Sequence, residues 1–172
     1  MDACVTSAAE LIKITLDFSS FFAKKTVGTA TLAPVVMIFA SLGTMDMAFV
    51  RMAKAIDEWA ANTQEEVIVQ TGYTTFNYRH AKAFDFCTKD EMQQYIKAAN
   101  ILILQGGWGA ISEAMEQKKR IVVIPRHDKT EHIHDQFQLI RKLDKLGCVI
   151  GVFDEKDLPQ KKKKPILLTS NK

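Results

Sequence analysis

The chain has 172 residues, of which 47% are hydrophobic, 25% charged and 9% aromatic. These proportions are typical of a soluble globular protein and exclude wholesale disorder, a collagen-like chain and a disulfide scaffold, while the length suits one domain with an appendage. The formal net charge of +3 is too small to indicate nucleic acid as a partner.

Residues 1–34 are predicted to be an N-terminal extension containing one amphipathic helix. Ser7 and Glu10 have the spacing of a capping box, and apolar residues then recur at helical intervals. These residues are Leu11, Ile14, Phe18, Phe21 and Phe22. The helix either packs on the main domain without a function of its own or docks on a membrane surface or a partner. No cleaved signal peptide is expected, because the first residues are acidic rather than basic.

Residues 35–158 alternate short apolar runs with helical patterns. Strands are predicted at 35–41, 66–70, 101–105, 121–125 and 148–153, with a shorter one at 83–86. Helices are predicted at 47–61, 90–99, 110–117 and 132–146. Thr88 and Glu91 form a second capping box, and Gly147 stands where a C-cap glycine would. The alternation predicts an α/β domain with a doubly wound parallel sheet.

Residues 159–172 form a basic tail that contains four consecutive lysines, Lys161 to Lys164. Such a run is typical of a solvated tail, and contact with anionic lipid head groups is the alternative interpretation.

The cysteines and the uncharged segments bear on the compartment of the protein. Cys4, Cys87 and Cys148 lie far apart without a Cys-x-x-Cys pair, which indicates reduced thiols and a cytoplasmic protein rather than a zinc site or disulfides. The longest uncharged stretch, residues 26–45, contains glycine, proline and several hydroxyl residues. We therefore do not expect it to span a membrane.

The loops that follow the predicted strands are the expected place for a ligand, because open parallel sheets bind ligands beyond the carboxyl ends of their strands. The first strand runs into Gly43 and Thr44, the second into Gly72, and the strand at 121–125 into Arg126. Glycine or a polar residue thus occurs repeatedly at one edge of the sheet.

The loop at 105–109, Gln-Gly-Gly-Trp-Gly, is the most informative of these loops. Glycines allow a phosphate to approach the backbone, and a helix that begins at about Ala110 would direct its N–H groups and positive dipole end toward it. Glu113, one turn later, is placed to accept hydrogen bonds from ribose hydroxyls. The alternative is a tight turn whose glycines only permit close packing. The spacing is neither Gly-x-Gly-x-x-Gly nor a P-loop, and no Gly-x-Ser-x-Gly elbow is present.

The stretch from Arg126 to Gln136 is dense in hydrogen-bonding groups. Its members include His127, Glu131, His132, His134 and Asp135. A metal site is one interpretation, although the spacing matches neither His-Glu-x-x-His nor a facial triad. Polar surface residues at a helix start are the second interpretation. The third is recognition of a polyhydroxylated ligand, whose hydroxyls need both donors and acceptors.

Four segments together carry a family resemblance. They are MIFASLGTMDMAFVRMAKAIDEW, IVQTGY, QGGWGAISEAMEQKKRIVVIPR and EHIHDQFQLIRKL. In this order they resemble the nucleotide-sugar half of glycosyltransferase family 28, over residues 37–158. The closest likeness is to the small one-domain PssE/EpsE-type subunits of bacterial exopolysaccharide and capsule synthesis. The catalytic subunit of the eukaryotic two-part enzyme that adds the second N-acetylglucosamine to dolichol-linked sugar is another relative.

The resemblance implies the Rossmann-like donor half of a GT-B glycosyltransferase, which holds a UDP-sugar. By position, Gly106, Gly107 and Gly109 would cradle the diphosphate and Glu113 would bind the ribose. Asp135 and Gln136 would touch the donor sugar, while Gly43 and Thr44 would line the cleft. The candidate set is completed by Gly72, Gln105, Ala110, Arg126, Glu131 and His132. Gln105 stands where many relatives have histidine, and Trp108 replaces a small residue.

The sequence therefore predicts a donor-binding catalytic subunit that moves a hexose or N-acetylhexosamine from a UDP-sugar to a lipid-linked acceptor. Helix N–H groups and a basic side chain such as Arg126 or His132 would stabilise the departing UDP. No metal or cofactor is expected, and no general base is identified. A membrane-anchored partner subunit would carry the acceptor half and hold the protein at the cytoplasmic membrane face. The alternatives are a non-catalytic nucleotide-sugar-binding subunit and a nucleotide-binding oxidoreductase, which the glycine spacing disfavours.

Overall fold

A computed structural model of the chain describes residues 36–127 and 136–161. The strands are β1 (Met37–Ser41), β2 (Glu66–Gln70), β3 (Lys82–Phe84), β4 (Ile101–Gln105), β5 (Arg120–Ile124) and β6 (Ile150–Gly151). The helices are α1 (Val50–Ala60), α2 (Lys89–Ala98), α3 (Trp108–Glu116), α4 (Phe137–Lys145) and α5 (Leu158–Lys161), with a 3-10 turn at Glu155–Asp157. The predicted N-terminal helix and most of the basic tail lie outside the described residues.

The described strands form one six-stranded sheet in the order β3-β2-β1-β4-β5-β6, and every pairing is parallel. This confirms the predicted doubly wound α/β fold. The sheet is built outward from β1, in which all five residues are buried, as expected of an apolar strand covered on both faces. Phe39 of β1 lies opposite Ile68 of β2 and Leu102 of β4. The chain order therefore reverses between β1 and β4.

The two faces of the sheet have different packing. On one face, Phe49, Met52 and Ile56 of the α1 region are fully buried in the main hydrophobic cluster. On the other face, Tyr95 of α2 stacks on Phe39, with ring centroids 4.9 Å apart and an interplanar angle of 12°. Helices on both faces are what buries the apolar strands completely.

Two predicted helix ends are confirmed in detail. At the start of α2, the Thr88 N–H donates to the Glu91 carboxylate at 2.8 Å, and the Glu91 N–H donates to Thr88 Oγ1 at 3.3 Å. At the end of α4, Gly147 has a φ of 74° and donates to the Asp144 carbonyl, while the Cys148 N–H donates to the Leu143 carbonyl. This pair of bonds is a Schellman motif.

Some element boundaries differ from the prediction for local reasons. Helix α1 begins at Val50 rather than at residue 47, because the Phe49 N–H is bonded to Thr74 Oγ1 and its backbone is not helical. Strand β6 has two residues instead of six, because Cys148 belongs to the turn that ends α4. Strand β5 ends at Ile124, before Pro125, which has no N–H to donate.

The connection between β2 and β3 crosses the end of α1 without forming a helix among its residues. It is held by Asp57, a buried carboxylate on α1. Oδ1 of Asp57 accepts hydrogen bonds from the backbone N–H groups of Arg79, His80 and Ala81 at 3.0, 2.9 and 3.2 Å. Backbone donors thus satisfy a charge that would otherwise be costly to bury.

Within the described ranges, no helix combines the length and apolar character that a membrane crossing needs.

Candidate functional site

The loops after β1 and β4 lie side by side where the strand order reverses. In doubly wound sheets this switch point opens a crevice between the two loops. Leu42, Gly43 and Thr44 follow β1, and Gly106 and Gly107 follow β4. A Cβ built on Gly43 would lie 3.2 Å from Nε2 of Gln105. The sheet topology therefore brings the two predicted glycine segments together.

The loop after β2 contacts the loop after β1 through backbone atoms. Gly72 has a φ of +56° and Gly43 a φ of +87°, both in the left-handed region that favours glycine. A Cβ on Gly72 would overlap the carbonyl oxygen of Gly43. Both predicted residues thus belong to one wall of the crevice, where their glycine character is needed by the fold itself. Thr44 is exposed at the tip of the first loop.

A polar network that the sequence analysis missed supports this wall. Ser41 and Gln70 are both buried, and the Ser41 hydroxyl donates to Gln70 Oε1 at 2.6 Å. Nε2 of Gln70 donates to the carbonyls of Asp85 at 3.0 Å and Gly43 at 3.4 Å. The Gly43 N–H in turn donates to Ser41 Oγ at 3.3 Å. The sequence does contain a signal for this network, because Ser41 and Gln70 are polar residues at the last position of their strands.

The opposite wall is the start of α3. Gly107 is the N-cap residue, no side chain caps the helix, and its first turn contains no acidic residue. The first N–H groups of an α-helix have no partners within the helix, so this end of α3 can receive an anion. Trp108, the first residue of α3, is 53% exposed beside this end.

The three glycines of the loop have different environments. A Cβ on Gly106 would overlap the Gln136 side chain, and one on Gly107 would overlap Nε2 of Gln105. At both positions the lack of a side chain therefore serves close packing within the domain. A Cβ on Gly109 would meet no atom within 4 Å, so Gly109 faces open space.

Further along α3, Ala110 and Glu113 are half-buried. Glu113 is the sixth residue of the helix, nearly one and a half turns after its start, while the neighbouring Ser112 hydroxyl bonds back to the Gly109 carbonyl at 2.9 Å.

Arg126, predicted as a basic side chain near the departing UDP, is buried within the domain. Its side chain is 1% exposed, and its guanidinium donates to the carbonyls of Leu42 and Met47, both at 2.8 Å. The guanidinium carbon also lies 4.5 Å from the centroid of the Phe49 ring. Arg126 thus ties the loop after β1 to the loop after β5.

Gln136 is also buried, with 5% of its surface exposed. Its Oε1 accepts a hydrogen bond from the Arg126 backbone N–H at 2.9 Å, and its Nε2 donates to Gln105 Oε1 at 3.1 Å. The predicted residues Glu131, His132 and Asp135 lie outside the described residues, as does His134.

An aromatic pair extends the carboxyl edge of the sheet toward β3. Tyr73 and Phe86 are 59% and 44% exposed, and their rings pack edge to face with centroids 5.0 Å apart. Tyr73 follows β2 and Phe86 follows β3, so their contact could not be predicted from the sequence.

Comparison with known proteins identifies the family of this domain. Residues 37–167 match the family model described as the glycosyltransferase family 28 C-terminal domain. The chain belongs to this family. No curated protein sequence matches it significantly.

Solved structures agree with the fold of the family 28 domain. A glycotransferase of kitacinnamycin superposes with a TM-score of 0.60 at 15% identity over 85% of this chain and 39% of its own. The spinosyn forosaminyltransferase SpnP superposes with a TM-score of 0.60 at 11% identity, over 83% of this chain and 41% of its own. The glycosyltransferase SnogD from Streptomyces nogalater superposes with a TM-score of 0.56 at 15% identity, over 80% of this chain and 42% of its own.

These structures are GT-B glycosyltransferases, and the family 28 domain has the fold of one of their Rossmann-like halves. The chain spans less than half the length of each, since the matched shares are 39%, 42% and 41%.

Proposed function

We propose that this family 28 domain is the donor-binding, catalytic part of a glycosyltransferase that moves a hexose or N-acetylhexosamine from a UDP-sugar to a lipid-linked acceptor. The observation that carries the proposal is the uncapped N-terminus of α3, which opens at the switch point directly after Gly106 and Gly107. In a glycosyltransferase family, a site of this kind suits the diphosphate of a nucleotide-sugar.

UDP is the leaving group in such a transfer, so negative charge develops on its diphosphate as the bond between the anomeric carbon of the sugar and the phosphate oxygen breaks and the acceptor oxygen takes its place. Fixed N–H donors at the start of α3 would stabilise this charge without reorganising. The first turn of α3 suits this role because it contains no carboxylate. Arg126 would contribute indirectly, by holding the Leu42 carbonyl and therefore the facing loop in place.

Glu113 is the proposed partner of the ribose. It lies nearly one and a half turns into α3, so a nucleotide whose phosphates sit at the helix start would place its ribose within reach of this carboxylate. A carboxylate accepts from both hydroxyls of a ribose, because it has two oxygens. Asp135 is proposed to contact the donor sugar on the basis of the family resemblance, while Glu131 and His132 are proposed to bind the UDP-sugar because they belong to the same stretch of hydrogen-bonding residues.

A second half-domain is proposed to complete the site from a membrane-anchored partner. GT-B enzymes bind their substrates between two domains, and the described residues form one of them. The exposed Tyr73–Phe86 pair lies at the carboxyl edge of the sheet, on the crevice side of the domain. Aromatic side chains at such an edge suit a protein interface, for which a stable association needs roughly 1,200 Å² or more.

The test has two stages. Calorimetry should first show that the purified chain binds UDP, with inorganic phosphate and ADP as comparison ligands. Transfer from UDP-sugars to a lipid-linked acceptor should then be measured with and without the membrane fraction that contains the partner. Transfer only with that fraction supports the proposal. UDP binding without transfer under either condition would instead support a non-catalytic nucleotide-sugar-binding subunit, and failure to bind UDP would reject both.

A further inference from the structure

Two glutamine side chains connect the loop after β5 to the end of β4. Gln136 receives a hydrogen bond from the Arg126 backbone N–H at 2.9 Å and gives one to Gln105 Oε1 at 3.1 Å. Gln136 is 5% exposed, so the first of these bonds is shielded from water.

The direction of each hydrogen bond follows from a single backbone group. A backbone N–H can only donate, so the carboxamide of Gln136 must turn its oxygen toward Arg126. Its NH2 group then faces Gln105 and requires an acceptor there, which turns the oxygen of Gln105 toward Gln136. The NH2 group of Gln105 is therefore held on the far side, away from Gln136.

That NH2 group lies in the crevice at the switch point. A Cβ on Gly107 would overlap Nε2 of Gln105, and one on Gly43 would lie 3.2 Å from it. Gly107 is the N-cap of α3 and Gly43 belongs to the loop after β1. Nε2 thus lies between the two walls, and within residues 36–127 and 136–161 the structure gives the Gln105 side chain only the bond through its Oε1.

We propose that Gln136 is a positioning residue that holds the Gln105 carboxamide with its NH2 in the crevice, where this group donates to an oxygen of the bound diphosphate. The inference rests on the proposed function and deepens it. The crevice then presents donors from two sources, the N–H groups of α3 and the NH2 of Gln105, and so selects a ligand with several acceptor oxygens.

The variant that isolates this role is Gln136→Glu. A carboxylate keeps an acceptor for the Arg126 N–H but offers no donor to Gln105. The Gln105 carboxamide would then rotate to donate to the new carboxylate and would present its oxygen to the crevice. Affinity of the full chain for UDP is expected to fall about tenfold or more, since one donor is lost and one acceptor faces the phosphates.

A double-mutant cycle separates this effect from the added negative charge. Gln105→Leu alone should weaken UDP binding about five- to tenfold, and adding Gln136→Glu to that variant should cause little further loss. An effect of Gln136→Glu that is undiminished in the Gln105→Leu background would overturn the proposal, because the charge would then act without Gln105. Unchanged UDP affinity in Gln105→Leu would overturn it as well.

A measurement without ligand tests the orientation itself. In a 15N-labelled chain, Gln136→Glu should shift the side-chain NH2 resonances of Gln105 strongly while the Arg126 backbone amide keeps its hydrogen-bonded shift. Unmoved Gln105 resonances would show that Gln136 does not orient it. If the unaltered chain fails to bind UDP, both the proposed function and this recognition step fail. UDP binding that none of these variants alters rejects only the present inference.

Discussion

Replacing Arg126 by methionine should destabilise the protein rather than remove a ligand contact. Methionine fills a similar volume but donates no hydrogen bond, so the Leu42 and Met47 carbonyls lose the donor that the guanidinium supplies at 2.8 Å. Leaving the buried Leu42 carbonyl without a donor should lower the free energy of unfolding by about 1–3 kcal/mol, and losing the donor to the partly buried Met47 carbonyl should lower it by about 1 kcal/mol. Loss of the cation–π contact with Phe49 adds about 1–2 kcal/mol. The free energy of unfolding should therefore fall by about 3–6 kcal/mol.

Urea unfolding followed by far-UV circular dichroism measures this change. Arg141→Met is the matched control, because Arg141 is exposed and also lies over aromatic rings, 5.9 Å from Phe137 and 5.6 Å from Phe153. It should change the free energy of unfolding by no more than about 0.5–1 kcal/mol. If Arg126→Met instead keeps the urea midpoint and weakens UDP binding more than tenfold, Arg126 contacts the ligand and the assigned role is wrong.

Three further predictions follow from other residues. Glu113→Ala should weaken UDP binding by about 1.5–3 kcal/mol in calorimetry, while Glu116→Ala, at the exposed end of the same helix, should not. Gly72→Ala should lower the free energy of unfolding by about 2 kcal/mol or more, because of its φ of +56° and the overlap with a backbone carbonyl, whereas Gly109→Ala should not lower it. Burial and, secondarily, Glu91 raise the pKa of Cys87 to about 11, so its alkylation at pH 8 should be on the order of 100-fold slower than in the urea-unfolded chain.

Each of these has a distinct contradicting result. Equal losses of affinity for UDP and its deoxyribose analogue in Glu113→Ala would show that the carboxylate does not bind the ribose hydroxyls. A Gly72→Ala variant as stable as the parent would mean that the two loops do not touch. For Cys87, peptide mass spectrometry should find the alkylation rate rising as the pH approaches 11, since the reactive thiolate forms there; a rate that levels off below pH 9 would contradict the raised pKa.

The sheet could be predicted because its strands are buried on both faces. The runs in β1 and β4 are almost wholly apolar, and each is followed by a helix. Strands that are buried on both faces and joined by helices are typical of a parallel sheet. The direction of parallel strands then places every following loop at one edge. That is why Gly43, Gly72 and Gly107 could be assigned to one edge of the sheet from sequence alone.

The contacts inside the crevice could not be predicted in the same way. Arginine is rarely buried, so the sequence indicates a basic side chain near the UDP for Arg126, and only the fold shows which carbonyls it meets. The orientation of Gln105 depends on Gln136, which is far away in sequence and meets it only after α4 has packed. Ser41, Gln70 and Gln105 did leave a signal, since each ends an apolar strand with a polar side chain that has to be satisfied.

The anchoring of the β2–β3 connection by Asp57 also has a consequence for the order in which the domain assembles. Asp57 accepts hydrogen bonds from N–H groups of residues just before β3, so this edge strand gains its full support only after α1 has also docked. Strand β3 has three residues and a single neighbour. We therefore expect β3 and its connection to fold late and to open as one unit, with amide protons that exchange before those of β1 and β4. The wall of the crevice that contains Gly72 is therefore expected to have the same low local stability as β3 and to open with it.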